Sequence, residues 1–379
     1  MQIFENINFD FLGKRKIFYA VSIGLFLLGM INIAIRGLVF GIDFKGGTEI
    51  VLQFNKAIGV SDVRKDIEGL GLGNIELKTF GNEGGILFKT ELQELPRNIF
   101  PKVVSLINSE IQKDFPGLNA KIIDTTASSV TYQFPNPDTT DRVVNQLNQA
   151  GFDFSEESAE PTNIKATANI SIASWIKQYL RERIKDNNFQ VLKEEKVGPK
   201  VGKELKQDAV IAIFLSLVVI LIYLGFRFKF IFAFGAVLAL FHDVLITLGL
   251  YSVLYNVIPG LNLEIDLTIV AAFLTLIGYS INDTVIVFDR VREYMKVHKT
   301  MPIMEVMNMA INRTMSRTIL TGGTTILTVL VLLIFGGEVL RAFAFTLFFG
   351  IIIGTYSSIF VASALVLEYA YKTKQKVQF

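Results

Sequence analysis

The sequence predicts a polytopic α-helical membrane protein: six transmembrane helices, with one large α+β domain inserted after the first of them. Three observations carry this. Hydrophobic residues make up 51% of the 379, including 32 phenylalanines, more apolar surface than an ordinary soluble domain needs. Apolar runs of about 18 residues or more, long enough to cross a hydrocarbon core, occur six times. A single polar stretch, 37–207, separates the first run from the other five.

The first span is read at 17–35. Lys14, Arg15 and Lys16 precede it, as they would a signal peptide, but the run is longer than a signal core and no small-x-small cleavage site follows. It is a retained helix. The other spans are read at 209–226, 230–254, 267–288, 318–335 and 343–369. The chain therefore divides into a cytoplasmic start with the first helix (1–36), an extracytoplasmic domain (37–207), helices two to six (208–371) and a cytoplasmic tail (372–379).

Orientation follows from the cations of the short connections. One side carries Lys14–Lys16, Arg227, Lys229, Arg290, Arg292, Lys296, Lys299, Arg313, Arg317, Lys372, Lys374 and Lys376. The opposing loops, 255–266 and 336–342, carry only Arg341. Both termini of this multi-pass protein are thus expected in the cytoplasm and the large domain outside.

Within 37–207, alternation and periodicity predict strands at 48–54, 75–80, 86–90, 120–123, 129–134 and 164–170. Helices are predicted at 61–70, 102–113, 140–150 and 173–185. This order suggests a ferredoxin-like α+β sandwich, and Pro135, Asn136 and Pro137 read as a break between two halves.

Composition also excludes. With no cysteine, disulfides, thiolate nucleophiles and zinc-thiolate sites are gone; with only His242 and His298, a histidine metal site is not expected. A net charge of +2 gives no reason for a nucleic-acid partner. No Ser-His-Asp set or metal spacing assembles, so neither an enzyme nor a cofactor is predicted. The run GPKVGK (198–203) is no phosphate loop: its glycines are one residue too close, and Glu204 stands where Ser or Thr is needed.

The candidate functional residues are the ionisable groups inside apolar spans. Asp283 lies seven residues before Arg290, about 10 Å inside the helix end, where a carboxylate costs about 2–3 kcal/mol even on the lenient insertion scale. It is either a proton or ion carrier or a packed polar group, and Ser280 and Asn282 beside it suggest a wet patch. Arg317, at the same side of the next span, is its natural partner or else a topological anchor. His242 and Asp243, mid-span in the third helix, are a proton relay or a hydrogen-bonded pair. Thr284, Thr321, Thr324 and Thr325 line a hydrated path or bond helix backbones. Gly350 and Gly354 read as a close helix contact.

Four segments carry a resemblance. GIDFKGGT (41–48) follows the first span, and EEKVGPKVGKEL (194–205) precedes the second. GYSINDTVIVFDRVRE (278–293) ends the fourth. SRTILTGGTTILTVLVLLIFGG and FGIIIGTYSSIF lie in the fifth and sixth. In this order they resemble the signature segments of SecF, of the SecD/SecF family in the resistance-nodulation-division superfamily.

The resemblance implies one six-helix half of such a transporter. Its implied partners are a SecD half, the SecYEG translocon, exported unfolded polypeptides and membrane lipid. The implied task is to use inward proton flow to promote late steps of export. It also implies proton transport by Asp283 of IND and Arg317 of SRT. Asp43 is read as fixing the junction between span and domain rather than conducting protons, with Gly46, Gly47, Gly198, Pro199 and Gly202 as the accompanying junction motif. The external domain is longer than usual for the family, with the extra length expected between about Pro116 and Gln190. A superfamily exporter of small amphipathic molecules or lipids, with an internal pocket, and a passive scaffold are the alternatives.

Overall fold

The computed structural model describes residues 8–373, apart from 68, 82, 127, 150–151, 159–163 and 259–260. Met1, Lys374, Lys376 and the rest of the tail lie outside the described residues. Chain contacts divide it into two units, 42–203 and the remainder.

The first membrane helix, α1, runs Arg15–Arg36. The α/β unit then reads α2 (Ile42–Lys45), β1 (Gly47–Phe54), α3 (Val60–Ile67), β2 (Glu76–Thr79), β3 (Gly85–Thr90), α4 (Phe100–Asp114), β4 (Lys121–Thr125), β5 (Ser129–Gln133), α5 (Pro137–Gln149), β6 (Asp153–Ser158), β7 (Ile164–Asn169), α6 (Ile172–Arg183) and β8 (Phe189–Val197). The remaining helices are α7 (Pro199–Arg227), α8 (Phe230–Leu254), α9 (Leu267–Val297), α10 (Ile303–Phe335), α11 (Gly337–Ser357), a π-helical turn at Ser358–Ala362, and α12 (Ser363–Thr373).

Among the described residues, six segments are long and apolar enough to cross a membrane; the sixth runs Leu340–Lys372 through the π-turn. Two helices outlast their apolar runs. α9 continues to Val297, and α10 begins 15 residues before the predicted Thr318. The extension of α10 buries Val306, Met307, Ala310, Ile311, Thr314 and Met315, an amphipathic spacing that a search for unbroken apolar runs does not see.

In the α/β unit, β1, α3, β2, β3, α6 and β8 form one sheet of order β2-β3-β1-β8, all neighbours antiparallel. This is the split βαβ arrangement of a ferredoxin-like fold. Ile50, Leu52 and Phe54 enter the hydrophobic core as alternation predicts; Val51, on the other face, is buried too but lies outside that core. The second sheet, β4-β5-β7-β6, has the same neighbour order if β4 is counted as its last strand. It is therefore a circular permutation of the same fold, with α4 ahead of β4 and α5 between β5 and β6. The whole second set lies in sequence between β3 and α6.

The Pro135–Pro137 segment is not the boundary between halves. It joins β5 to α5 within the second sheet: Asn136 Oδ1 accepts from Thr139 N at 2.8 Å, and Pro137, with no N–H to lose, opens the helix. One hydrophobic core, including Phe88, Ile107, Tyr132, Leu147 and Trp175, serves both sheets. Strands β6 and β8 were not predicted, because DFSEES and FQVLKEEKV show charge where alternation needs apolar residues.

A polar seam in the membrane bundle

The third, fourth and sixth spans each place hydroxyls or carboxylates on the faces that meet. On α8, Asp243 is 1% exposed; on α9, Asp283 is 2% exposed. Ser280 Oγ of α9 donates to Asp243 Oδ2 at 2.7 Å, and Ser357 Oγ of α11 donates to the same oxygen at 2.8 Å. His242 Nδ1 lies 3.0 Å from Asp243 Oδ1. One carboxylate thus ties three spans together.

The seam continues in both directions. Thr284 Oγ1 and Ser358 Oγ lie 2.8 Å apart, and Thr355 Oγ1 reaches Asp283 Oδ2 at 3.4 Å. Residues 280, 283 and 284 share one face of α9 by their spacing of three and four, and residues 355, 357 and 358 meet that face from the sixth span.

Two sequence features allow this approach. A Cβ on Gly354 would lie 2.8 Å from Ser280 Oγ, and one on Gly350 would meet Leu276 Cδ2 at 2.5 Å, so glycine at both positions lets α11 lie against α9. The π-turn follows Ser357 directly, and Ser363 Oγ donates to Ser358 O at 2.9 Å, so the sixth span is locally underwound where the seam ends. Such π-turns concentrate at functional sites.

The candidates are only partly brought together. Asp283, Thr284, His242 and Asp243 belong to the seam; Asn282 points to an exposed face and does not. Arg317 on α10 is exposed and within electrostatic range of Asp283, yet among the described residues no ion pair within 4.0 Å joins them. Of the two readings of Arg317, partner of Asp283 or topological anchor, direct ion pairing is the one this geometry does not form. Thr324 and Thr325 donate to backbone carbonyls of their own helix, at 2.9 and 3.0 Å, the plainer of the two readings. Thr321 accepts instead: its carbonyl lies 3.1 Å from the Tyr279 hydroxyl.

His242 has a second side. Its Nε2 is buried with no partner among the described residues, and its ring stacks on Tyr356 with centroids 6.4 Å apart. The Tyr356 hydroxyl donates to Phe18 O at 2.6 Å and lies 2.9 Å from Ser22 Oγ, which connects the seam to α1.

Ser357, Ser358 and Thr355 escaped the sequence reading, because a serine costs little in a membrane helix and raises no flag alone. The cluster TYSS in an apolar run was the available signal.

The junction residues sit in the α/β unit. Gly46 (φ +80°) and Gly47 (φ +134°) have backbone angles that favour glycine, and a Cβ on Gly47 would strike Thr90 O at 2.4 Å. A Cβ on Gly202 would lie 3.1 Å from Gly46 N and 3.2 Å from Asp43 O, and one on Gly46 would lie 3.0 Å from Pro199 Cα. The two glycine motifs, GIDFKGG and GPKVG, therefore clasp each other by backbone contact. Gly198 precedes Pro199 at the start of α7, and its carbonyl accepts from Gly202 N at 2.9 Å.

A cavity in the membrane unit, lined by residues including Arg36, Tyr251, Ser252 and Ile265, has a volume of about 30 Å³. That is far below the ~300–1,000 Å³ of small-molecule sites.

A family model described as "Protein export membrane protein SecD/SecF, C-terminal" matches residues 176–372, and "SecD/SecF GG Motif" matches 31–58. Protein translocase subunit SecF of Rhodothermus marinus is 39% identical over 368 residues, 97% of this chain and 95% of that protein. The SecF of Koribacter versatilis is 34% identical, covering 97% of this chain and 93% of its own length.

The fold is similar to the crystal structure of SecDF, a translocon-associated membrane protein from Thermus thermophilus. The TM-score is 0.64 at 30% identity over 97% of this chain, which spans 39% of that longer one. Motif order, the glycine clasp, six spans and these likenesses agree: the chain belongs to the SecD/SecF family of protein-export membrane proteins, among its SecF translocase subunits.

Proposed function

We propose that this Sec translocase accessory subunit uses the proton motive force, with a SecD-type partner, to promote late steps of polypeptide export. Asp283 carries the proton. The observation supporting this is its burial without a contacting cation among the described residues. A carboxylate at that depth is costly when charged and tolerable when protonated, so a carrier that alternates between the two fits the site. Arg317, near but not in contact, supplies a positive field that favours proton release without trapping the carboxylate in a fixed ion pair. His242, Asp243 and Thr284 extend the route along the hydroxyl seam. In this reading the protein sits in the inner membrane with both termini cytoplasmic and the α/β unit outside, beside the SecYEG translocon. One charge crossing 100 mV releases about 2.3 kcal/mol, enough to drive a conformational stroke.

The test is Asp283→Asn, which keeps size and most hydrogen-bonding shape but cannot titrate. The variant is expected to insert and accumulate normally and to lose gradient-stimulated export. Adding Arg317→Gln is expected to leave it inactive; a salt bridge required only for structure would instead be repaired by the double change. Wild-type export by a well-accumulated Asp283→Asn protein would overturn the proposal.

A further inference from the structure

Three consecutive residues of the sixth span, within one helical turn, reach three different partners. Thr355 Oγ1 donates to Asp283 Oδ2 at 3.4 Å, and Ser357 Oγ donates to Asp243 Oδ2 at 2.8 Å. Tyr356, between them, turns the other way: its hydroxyl donates to Phe18 O at 2.6 Å and lies 2.9 Å from Ser22 Oγ, both on α1. Its ring also lies against that of His242, whose Nδ1 contacts Asp243 Oδ1.

α1 is attached to the bundle at few points. Of its 22 residues only Ser22 and Gly29 are buried. At Gly29 it crosses Gly249 of α8 backbone to backbone, with no side chain on either glycine to resist a change of angle. On the N-terminal side of this crossing its contacts go to the sixth span: Tyr356 holds Phe18 and Ser22, Phe18 stacks on Phe360, and Arg15 pairs with Glu368 at 2.7 Å. On the other side, Asn32 meets Ser252 of α8 at 2.9 Å. Ser22 stands seven residues before the crossing and Arg36 seven after it, about 10 Å each way. Six residues past Arg36 the chain enters α2, and then β1, a central strand of the first sheet.

We infer that Tyr356 couples the seam to the α/β unit: a change of protonation at Asp283 or Asp243 shifts Tyr356, and α1 tilts about the Gly29–Gly249 crossing. The inference rests on the proton reading above and supplies the step from proton to movement. A carboxylate only accepts hydrogen bonds, whereas a neutral carboxyl also has a proton to donate, so Thr355 or Ser357 must re-form its contact when a proton arrives or leaves. Either adjustment carries Tyr356, which shares their turn. Tyr356 in turn grips a main-chain carbonyl, so it moves α1 as a body and not one side chain. Because the two arms are equal, a shift at Ser22 reappears at Arg36 at the same size and in the opposite direction.

The chain has no cysteine, so paired labels can be introduced cleanly. Spin labels on Ile35→Cys, near the end of α1, and Val257→Cys, just past α8, both at exposed positions, report the tilt. In nanodiscs, Asp283→Asn or Asp243→Asn stands in for the protonated carboxyl and is expected to shift the label distance by a few ångströms. Adding Tyr356→Phe, which keeps the ring against His242 and removes only the hydroxyl, is expected to abolish that shift. In proteoliposomes with a SecD-type partner and an imposed gradient, Tyr356→Phe should keep proton uptake near the parent's and lose export about tenfold, the size of an ordinary coupling between two sites. A tyrosine that merely packed α1 would lower uptake and export together.

No shift from either asparagine variant, a shift that persists without the hydroxyl, parent-like export, or uptake lost along with export would each overturn the inference. If Tyr356→Phe accumulates poorly, Ser22→Ala decides: it weakens the same latch without touching the seam, and must lower export while sparing uptake. Asp283→Asn keeps the two proposals apart. Should it export normally, the proton reading fails; should it be inactive beside a fully exporting Tyr356→Phe protein, the coupling alone fails.

Discussion

Asp243→Asn tests whether the seam works or merely packs. The carboxylate accepts from Ser280 and Ser357 on one oxygen and contacts His242 Nδ1 with the other. A side-chain hydrogen bond between membrane helices is worth about 0.6 kcal/mol, at most about 1.7. Losing all three would cost about 2 kcal/mol. Against this, removing a charge from the bilayer interior recovers about 2.5–3.5 kcal/mol on the insertion scale. Asparagine keeps one acceptor oxygen, and the serine hydroxyls can rotate to accept from its amide.

The balance predicts a variant within about 1 kcal/mol of the parent, while Ser280→Ala and Ser357→Ala each cost about 0.6–1.7 kcal/mol. The assay pairs thermal unfolding in nanodiscs with export under an imposed proton gradient. Near-normal melting with lost gradient response is the expected result. Normal export would remove Asp243 from the proton route. Degradation of the asparagine variant would show that the balance is wrong and that the carboxylate is mainly a strut.

Two further predictions concern packing and pH. Gly29 and Gly249 cross so closely that a Cβ on either would lie 2.8 Å from the other's Cα. Gly249→Leu should therefore push α1 off α8, break the Ser252–Asn32 contact at 2.9 Å and cost about 2–3 kcal/mol, read as a lower melting temperature; an unchanged one would refute the crossing. In the α/β unit, burial pushes the Lys193 ammonium down, but Glu49 and Glu195 outweigh it and hold it above its ordinary 10.5, while burial pushes the Tyr132 phenol above its ordinary 10.0. Both folded values exceed the unfolded ones, so this stability is fully present below about pH 10 and is lost as pH rises through the folded values. Denaturation followed from pH 9 to 11 should show a falling midpoint, and a flat profile would refute the assignment.

The fold was legible where apolar residues are concentrated. Residues 230–254 were placed to the residue, because Lys229 and Tyr255 bracket an unbroken run. β1 and β3 were legible because they are central and apolar. The failures share a cause. β6 and β8 lie at sheet edges, where one side faces solvent and charge is an advantage, so the period-two signal is erased by the requirement not to pair further. The permuted order of the second sheet was illegible for another reason: permutation changes which strand comes first without changing any local pattern.

The site shows the same division between costly and cheap residues. Asp283, Asp243 and His242 stand out because an ionisable group in an apolar span needs an explanation. What organises them does not stand out. Ser280, Thr355, Ser357 and Ser358 each satisfy their hydroxyl through their own helix or a neighbour, so none is improbable alone. Their role comes from tertiary register: α11 approaches α9 through Gly350 and Gly354, and only then do two serines from different helices converge on one oxygen of Asp243. Arg317 shows the converse. Its position at the cytoplasmic end of a hairpin put it at the depth of Asp283, as partner or anchor, but helix rotation decides contact, and α10 turns this residue outward. Depth along a span can be read from hydropathy; azimuth around it depends on packing that no single helix encodes.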